Sequence, residues 1–541
     1  MKRIMLLLVL LFFALSKSVG QEKITETQKL ATFCKIYGFL KYYHPNVAKE
    51  EFNWDKEFFK ILPKVMESSD KESLSKVYLN WIDDLGEIEK CKACSSDKKY
   101  FDKNFDLSWT QDSIYFNKSL NRKLKQVEEN RNLGENHYVS LDEIKINRIN
   151  EPVYEGSQFP DEGYRLLGLF RYWNIIEYFF PYKYLTDQDW DSVILEMIPK
   201  MREVNNESDY HLLLRELVAK LDDTHAWISI QDTSSKFPPV IVSQIEGRPV
   251  VSEIVNDSIA LLNNLELGDI ILKLNDKNFQ SLANDSLKYV AGSNPNIKSR
   301  YTYNDILAGP EDSLKLTVDR GGQIVDLNIK RYDYKVLNTK KSSSQDAYKL
   351  LSESIGYIDM ENVKDGKQVI KIFKSIKSEN TLIIDLRNYP AMVHLVMSKY
   401  LNSEERHFAS TYSPLIQYPS RFKYSYNLMT LASKKAFSGK VILLVNEKSL
   451  SRSEFLAMTL QTADNVITIG SQTAGSDGTV LVFDYLGGYK TAFTGNGIEY
   501  PDGTRTQRSG VKIDVEVQPT INGLRAGRDE ILEKAIEIAQ D

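Results

Sequence analysis

The stretch KVILLVNEKSLSRSEFLAMTL (440–460) decides the fold, because it joins an apolar run to a helix through one short turn. The run VILLV is short, continuous and rich in branched residues, which is typical of a strand buried on both faces of a parallel sheet. The pattern S-x-x-E before FLAMTL indicates a helix start with Ser451 as N-cap and Glu454 as its partner at the third helical position. Helix capping by itself explains this pattern, and only the rest of the chain can favour a chemical role for one of its serines.

The C-terminal part, 350–541, alternates predicted strands and helices on both sides of this stretch. Strands are predicted at IGYIDM, TLIIDL, KVILLV and NVITIG, and helices at GKQVIKIFKSI, SRSEFLAMTLQTA and GRDEILEKAIEIA. This alternation predicts a layered α/β core with largely parallel strands. The polar segment 336–349 is a predicted linker, and the run of short strands over 237–335 predicts a small β domain before it.

The N-terminal part contains landmarks that recur with a spacing of 136 residues. These are KYYHP (41–45) and EYFFP (177–181), Trp54-Asp55 and Trp190-Asp191, and Pro63 and Pro199. Three landmarks in one register predict a duplicated helical unit, with one copy over 21–121 and the other over 161–236. The polar stretch 122–160 between them is interpreted as a linker or loosely packed insertion. Only the second copy follows its Asp-Asp pair with a histidine, His225, so this difference is a candidate for function.

Length and charge limit the possible classes of protein. The 541 residues are enough for roughly three or four domains. The net charge is −5 and no basic stripe is present, so we expect no nucleic-acid partner. Lys2 and Arg3 precede a short apolar run and then small residues, which predicts a secretory signal over 1–20. The run is too short to span a bilayer comfortably, so we expect an exported protein, periplasmic or extracellular, without stable membrane insertion.

Three cysteines, Cys34, Cys91 and Cys94, offer little for metal or redox chemistry. Cys91 and Cys94 form a CxxC pair, but a four-ligand zinc site needs two more ligands and no second CxxC or HxxxH is present. A redox role would require a thioredoxin-like strand–helix–strand context, which is absent. A local disulfide or free thiols are therefore the favoured interpretation, and we predict no metal and no cofactor.

A serine nucleophile needs a base and hydrogen-bond donors for the developing oxyanion, so the six histidines were compared. His44 stands where the second repeat has Phe180, which indicates a structural role. The others lie in the polar linker (His137), at the start of a charged helix (His211) and after a run of charges at a loop (His407). His394 follows a predicted core strand and is a rival base. His225 lies where a helix ends and the strand AWISI begins, a junction that exposes a side chain. Sequence spacing alone cannot place either histidine beside Ser451.

From about residue 150 onward, the chain resembles tail-specific serine peptidases of the carboxyl-terminal-processing and tricorn-core family. The motifs that carry the resemblance occur in the order of that family: AKLDDTHAWI, SIGYIDM, TLIIDLRNYP, KVILLVNEKSLSRSE, VITIGSQTAG and PDGTRTQRSGVKIDVEVQPT. The resemblance implies a helical region, a PDZ-like β domain at 237–335 and a ClpP/crotonase-like α/β peptidase core. LELGDIIL (265–272) resembles the middle of a PDZ domain, which binds an extended peptide end as an added strand. The alternative, a β domain that only packs on its neighbours, stays open.

The resemblance also assigns roles in the turn after the core strand. It makes Ser451 the nucleophile and the Arg452 backbone N–H one oxyanion donor. The second donor comes from the turn after TLIIDLRN, where the family usually has Pro-Gly-Gly and this chain has Pro390-Ala391-Met392. Proline has no N–H, so the resemblance assigns this role to the Ala391 backbone.

The family divides over the identity of the base. One branch uses a lysine 25 residues after the serine, and this chain has Ser476 there. The tricorn-like branch uses a histidine preceded by a hydroxyl residue, which corresponds to Thr224-His225. That branch also has an orienting glutamate, and Gln507 stands at the matching position. An amide carries no charge to stabilise an imidazolium, so Thr224, Gln507 and Asp223 all remain candidates for orienting His225.

The resemblance therefore implies an exported serine endopeptidase that hydrolyses peptide bonds of protein or peptide substrates. The alternative is a catalytically inactive homologue that acts as a peptide- or ligand-binding module. The presence of both Ser451 and His225 favours the enzyme, whereas the missing glutamate and glycines favour the alternative.

Overall fold

The computed structural model describes residues 23–94, 100–142, 144–156, 158–230, 235–337, 346–376 and 380–540. The predicted signal at 1–20 and most of the predicted linker at 336–349 lie outside these residues. The N-terminal region is mainly helical. Its elements are α1 (Glu26–Tyr43), α2 (Pro45–Ala48), α3 (Trp54–Glu67), α4 (Lys71–Asp84), α5 (Lys118–Glu129), β1 (Val139–Leu141), β2 (Ile146–Ile149), α6 (Glu162–Phe179), α7 (Trp190–Glu203), α8 (Glu207–Ala219) and β3 (Trp227–Ile228).

Helix lengths and positions recur with the spacing seen in the sequence. Helices α1 and α6 have 18 residues each, α3 and α7 have 14 each, and each pair begins 136 residues apart. Helices α1 and α6 pack against each other where Asn174 donates to the Cys34 carbonyl at 3.0 Å. A Cβ at Gly38 would lie 1.7 Å from the Asn174 amide oxygen, so only glycine fits this crossing. The duplication itself stays a prediction.

The segment 122–160 differs from the predicted linker. Helix α5 crosses its start with Leu124 and Val127 fully buried, and the β1–β2 hairpin buries Val139 and Ile146 in the same core as the helices. These apolar side chains occur at helical and strand spacing, but polar residues surround them and lower the average hydropathy of the segment. The segment is a packed part of the helical region.

Both states that the sequence left open for the cysteines, a local disulfide and a free thiol, occur in the structure. Cys91 and Cys94 form a local disulfide. Cys34 is a free thiol that is fully buried within α1. Within the described part of the chain, no cluster of histidine, cysteine and acidic side chains has a composition and geometry that could hold a metal ion.

The middle region is a β domain with its own core. It contains β4 (Val240–Ile245), β5 (Arg248–Ile254), α9 (Asp257–Leu262), β6 (Ile270–Leu274), β7 (Lys277–Asn278), α10 (Phe279–Ser286), α11 (Pro295–Leu307), β8 (Ser313–Arg320), β9 (Gln323–Lys330) and the short α12 (Tyr334–Leu337). The strand order is β4-β5-β6-β8-β9, and neighbouring strands are antiparallel. Helix α11 covers the β4 edge, because the Asn304 side chain accepts from the Val242 N–H at 3.0 Å and donates to the Val242 carbonyl at 2.9 Å.

The C-terminal region is the α/β core. Its elements are β10 (Tyr348–Ser352), β11 (Ile355–Asp359), α13 (Gly366–Ser375), β12 (Thr381–Asp385), α14 (His394–Leu401), β13 (His407–Pro414), β14 (Phe422–Met429), β15 (Lys440–Val445), α15 (Arg452–Leu460), β16 (Val466–Gly470), β17 (Val480–Tyr485), β18 (Tyr489–Thr494), β19 (Gly497–Glu499), β20 (Val515–Glu516), α16 (Ile521–Arg525) and α17 (Glu530–Gln540). The central sheet has the order β10-β11-β12-β15-β16-β20. From β11 onward its strands are parallel, as predicted. The predicted strands and helices of the core are also confirmed.

Two smaller sheets, which the sequence patterns do not predict, flank this core. One has the order β14-β13-β19 and the other β17-β18-β3. The second matters for the site, because β3 belongs to the helical region and pairs with β18 of the core through Trp227 and Ala492. This pairing carries the residues just before β3 onto the core. No helix among the described residues is both long enough and apolar enough to cross a bilayer.

Candidate active site

Ser451 lies at the sharp turn between β15 and α15, and its backbone is strained. Its φ is +55° and its ψ is −109°, a conformation that residues with a Cβ rarely adopt. Such outliers cost about 1–3 kcal/mol each and concentrate at functional sites. The turn also places the Ser451 side chain at the N-terminus of α15, where free N–H groups and the helix dipole favour an anion.

The two neighbouring serines have structural roles. Ser449 and Ser453 are both fully buried. Their hydroxyls donate to the same acceptor, the Leu386 carbonyl at the end of β12, at 2.7 and 2.6 Å. They tie the turn to the sheet, whereas Ser451 between them is only partly buried. This contrast separates the candidate nucleophile from the serines that build its turn.

Glu454 connects the Ser451 turn to the opposing turn 473–476. Its fully buried carboxylate accepts from the Ser451 N–H at 3.1 Å, which is the capping contact expected of this pair. It also accepts from the Thr473 hydroxyl at 2.5 Å and from the N–H groups of Gly475 and Ser476 at 2.8 and 3.0 Å. Burial raises the pKa of Glu454, and these hydrogen bonds oppose the rise. Glu454 therefore holds two turns of the site together.

His225 is buried between α8 and β3, with 7% of its surface exposed. Its Nδ1 lies 2.9 Å from the Thr494 hydroxyl oxygen, at the end of β18. The Thr494 hydroxyl donates in turn to the Asp223 carboxylate at 2.9 Å. A hydroxyl has one proton to donate, so Thr494 accepts from the His225 Nδ1–H. In the neutral ring, this contact leaves the lone pair on Nε2, the nitrogen that can take a proton.

Asp223 is the acceptor at the centre of this group. It is completely buried and accepts from the Ser476 hydroxyl at 2.7 Å and from the Thr494 N–H at 2.8 Å. The Gln507 side-chain amide and the His225 backbone N–H also donate to it, each at 3.2 Å. Gln507 therefore contacts Asp223, and the structure gives it no hydrogen bond to the His225 ring among the contacts described.

The residue before the histidine reaches the turn that leads toward Ser451. The Thr224 hydroxyl lies 2.9 Å from the Ser293 hydroxyl and 3.3 Å from the Ala474 carbonyl. The Ala474 N–H donates to the Ser449 carbonyl at 3.0 Å. Thr224, Ala474 and Ser449 thus form a short path from His225 to the strained turn. Hydrogen bonds therefore connect Thr224 and the 473–476 turn with the turn that carries Ser451.

The middle region supplies part of this framework. Asn294 is buried and donates from its side chain to the carbonyls of Thr473 and Ala474, at 2.9 and 3.1 Å. Ser293 also accepts from the Thr224 N–H at 2.8 Å. No local signal in the sequence marked either residue, since both lie in a polar stretch before α11. Their role follows only from the packing of α11 against the core.

The turn after β12 lies against the start of α15. The Arg452 side chain donates to the Pro390 carbonyl at 3.3 Å, and its guanidinium lies 5.0 Å from the centre of the Tyr389 ring. The turn that carries Ala391 is therefore held next to the residue that follows Ser451. The backbone N–H groups of Ala391 and Arg452 stay the predicted oxyanion donors.

Comparison with known protein families concerns the α/β core. Residues 354–517 match the model of peptidase family S41, a span that includes both turns and Ser451. The α/β core belongs to peptidase family S41. No curated protein sequence matches the chain.

Solved structures resemble a larger part of the molecule than this S41 core. Mature CPAF complexed with lactacystin is 13% identical, with a TM-score of 0.54, over 70% of this chain and 98% of that chain. Mature CPAF alone is 14% identical, with a TM-score of 0.54, over 70% and 96%. The photosystem II D1 C-terminal processing protease is 16% identical, with a TM-score of 0.40, over 68% and 99%. The CPAF likeness extends the shared fold beyond the S41 core.

The rival histidine is placed differently in the S41 core. His394 begins α14 and packs edge-on against Phe455 with ring centres 5.0 Å apart. Burial lowers the pKa of His394. The remaining histidines bond elsewhere or are buried: His44 is fully buried, His137 pairs with Glu50, His211 contacts Tyr489, and His407 contacts the Ala409 carbonyl. Among the six histidines, all of which lie within the described residues, only His225 belongs to the hydrogen-bonded group that joins the Ser451 turn and the 473–476 turn.

Proposed function

We propose that this chain is an exported serine endopeptidase, in which Ser451 attacks peptide bonds of protein or peptide substrates and His225 is the base. One observation carries the proposal. The strained Ser451 and the His225 ring belong to one hydrogen-bonded group, which runs through Glu454 and Asp223 and joins residues more than 200 positions apart in the sequence. The S41 core supports the peptidase class, and the disulfide between Cys91 and Cys94 supports export to an oxidising compartment.

In the proposed reaction, His225 Nε2 takes the proton of the Ser451 hydroxyl while the serine oxygen attacks the carbonyl carbon of the substrate. The Arg452 and Ala391 N–H groups stabilise the oxyanion of the tetrahedral intermediate. His225 then gives its proton to the departing amine, and an acyl group remains on Ser451. Water, activated by the same histidine, hydrolyses this ester and restores the enzyme.

We further propose that Thr494 and Asp223 orient His225, the role that a glutamate has in the tricorn-like branch. When His225 becomes protonated, its Nδ1–H still donates to Thr494, and the Asp223 carboxylate lies one hydroxyl beyond it. The negative charge stabilises the imidazolium through this bridge. Gln507 supports the same carboxylate by donating to it at 3.2 Å, which gives an uncharged residue a use at this position. Thr224 is assigned to anchoring the 473–476 turn.

The middle region is proposed to be a PDZ-like domain that influences which substrates are accepted. Strand β4 is the edge at which an added peptide strand would pair. Asn304 of α11 already bonds both backbone groups of Val242 on this edge. Peptide addition at Val242 would therefore require α11 to separate from β4. Substrate selection at this edge is therefore proposed to depend on that separation, and with the edge closed the domain supports the site through Ser293 and Asn294.

The test is labelling with a fluorophosphonate probe, which reacts with an activated serine. The wild-type protein, Ser451→Ala and the exposed control Ser281→Ala are incubated with the probe, and the labelled peptide is identified by mass spectrometry. We expect labelling of Ser451 in the wild type and in Ser281→Ala, together with digestion of an unfolded protein such as casein. An unlabelled, folded wild-type protein that digests nothing would favour the alternative, a binding module that lacks catalysis.

A further inference from the structure

A groove opens beside the candidate base, between the helical region and the middle region. Its volume is about 550 Å³, within the range of pockets that hold small ligands. Thr224 and Ala226, the two neighbours of His225 in the chain, both line it. The groove therefore adjoins the short chain segment that carries the proposed base.

About half of the surface that lines the groove is apolar. It includes Val218 from α8, Trp227 and Ile228 from β3, Ile230 beyond β3, and Val290 and Ala291 before α11. Trp227 is 42% exposed, which is unusual for a large aromatic side chain and leaves its ring available to a partner. Apolar and aromatic surface of this kind gains free energy by covering a hydrocarbon side chain.

The charged residues on the described lining neutralise each other. Arg215 of α8 donates to the Asp305 carboxylate of α11 at 2.7 Å, so this ion pair bridges the two regions at the rim. A charged substrate side chain entering the groove would lose water without gaining a free partner from this pair. The lining therefore discriminates against acidic and basic side chains.

The far side of the groove approaches the nucleophile. Tyr301 of α11 lines it. Arg300, which precedes Tyr301, lies 3.6 Å from the Glu447 carboxylate in the turn that leads from β15 to Ser451. The groove thus runs from the side of His225 toward the side of Ser451.

We infer that this groove binds one apolar side chain of the substrate, aliphatic or aromatic, within two residues of the cleaved bond. The inference rests on the proposed function and deepens it. Strand β3 lies at the edge of the β17-β18-β3 sheet, so an extended substrate can run beside Trp227 and Ile228 while its side chain enters the groove. The pocket then contributes to cleavage preference independently of the β4 edge in the middle region.

Cleavage sites in a mixture of unfolded proteins, mapped by mass spectrometry, give the first test. We expect leucine, phenylalanine and related residues to be favoured over aspartate and lysine at one position near the cleaved bond, by about tenfold or more. A flat profile at all positions within two residues of the cleaved bond, from an enzyme whose Ser451 is labelled by the fluorophosphonate, would overturn the groove assignment alone. An enzyme without that labelling would overturn the proposed function as well.

A reciprocal charge change gives the second test. Ile230→Glu should raise the ratio of kcat/KM for a lysine peptide to that for a leucine peptide, and Ile230→Lys should do the same for a glutamate peptide. Each ratio is measured within one variant, so it does not depend on how much of that variant is active. Ile324→Glu, at an exposed position of β9, is the matched control and should leave both ratios unchanged. Identical ratios in the Ile230 variants and the control would show that the groove does not contact the substrate.

Discussion

The Thr494 hydroxyl oxygen lies 2.9 Å from Nδ1 of His225 and joins this ring to a buried carboxylate. If Thr494 orients the base, Thr494→Val should lower kcat about a hundredfold or more, because the valine cannot accept from Nδ1–H and the wrong tautomer becomes available. Thr494→Ser restores the hydroxyl and should stay within a few-fold of wild type. Steady-state kinetics with one peptide checks both. Equal activities of the valine and serine variants would remove Thr494 from the mechanism.

Ser451 allows a test that separates chemistry from strain. Ser451→Ala and Ser451→Gly should both lose about a million-fold in turnover, because neither has a nucleophile. Their stabilities should differ, since φ of +55° suits glycine and costs a residue with a Cβ about 1–2 kcal/mol. We expect the glycine variant to unfold at a higher denaturant concentration than the alanine variant. A glycine variant that is less stable than the alanine variant would show that the turn is not strained at this residue.

The core and its nucleophile could be predicted because their signals are local. The run VILLV and the S-x-x-E pattern each depend on a few neighbouring residues, and the structure places a buried strand and a helix there. Thr494 could not be found in this way. It lies 269 residues from His225, and a threonine in a strand is ordinary. Its role arises only when β18 pairs with β3, a contact between the core and the helical region.

In the segment 122–160, by contrast, a local signal is present but hidden. Its buried residues Leu124, Val127 and Ile146 are separated by charged residues that face solvent, so the polar average hides the apolar spacing. The closed β4 edge of the middle region could not be predicted from the sequence either, because the contact between Asn304 and Val242 depends on how a helix and a strand pack. Long-range packing is the common reason for both differences.

The pH dependence of activity follows from the surroundings of His225. Burial lowers its pKa from the usual value of 6.5, and the Asp223 charge opposes the shift. The neutral ring is the base, so kcat/KM should rise with pH through a midpoint below 6.5 and then level off. His394→Gln should leave this midpoint unchanged. A wild-type midpoint above about 8 would indicate an amine base instead, given the pKa of lysine near 10.4.

The lowered pKa of His225 also makes the free energy of unfolding depend on pH. Because the folded pKa of His225 lies below that of the unfolded chain, the unfolded state binds more protons between the two values. The stability that His225 contributes is present above 6.5 and is lost as the pH falls through this window. His225→Phe should therefore make the unfolding free energy less dependent on pH below 6.5. Denaturant unfolding of both proteins at several pH values checks this, and parallel curves would contradict it.

Asn294 tests whether the middle region is required for catalysis. Asn294→Asp replaces an amide that donates to the Thr473 and Ala474 carbonyls with a carboxylate that repels them. We expect a loss of stability of about 1–3 kcal/mol and slower labelling of Ser451 by the fluorophosphonate. Asn328→Asp makes the same change at an exposed position of β9 and should have little effect. Normal labelling of a folded Asn294→Asp protein would show that the turn holds its shape without the two hydrogen bonds from Asn294.

Ser476 stands where the lysine-using branch has its base, and its surroundings predict that a lysine there will not rescue the site. The Ser476 side chain is fully buried and donates to Asp223 at 2.7 Å, while its N–H donates to Glu454 at 3.0 Å. A lysine amine at this position would meet two carboxylates, which hold it protonated and unable to accept a proton from Ser451. It would also compete with Thr494 for Asp223.

We therefore expect Ser476→Lys to lose activity by itself, and Ser476→Lys/His225→Ala to be no more active than His225→Ala. Ser476→Ala is the control for the lost hydrogen bond. Full activity in the double variant, with a midpoint moved to higher pH, would show that this site can use an amine and that His225 is not its only possible base.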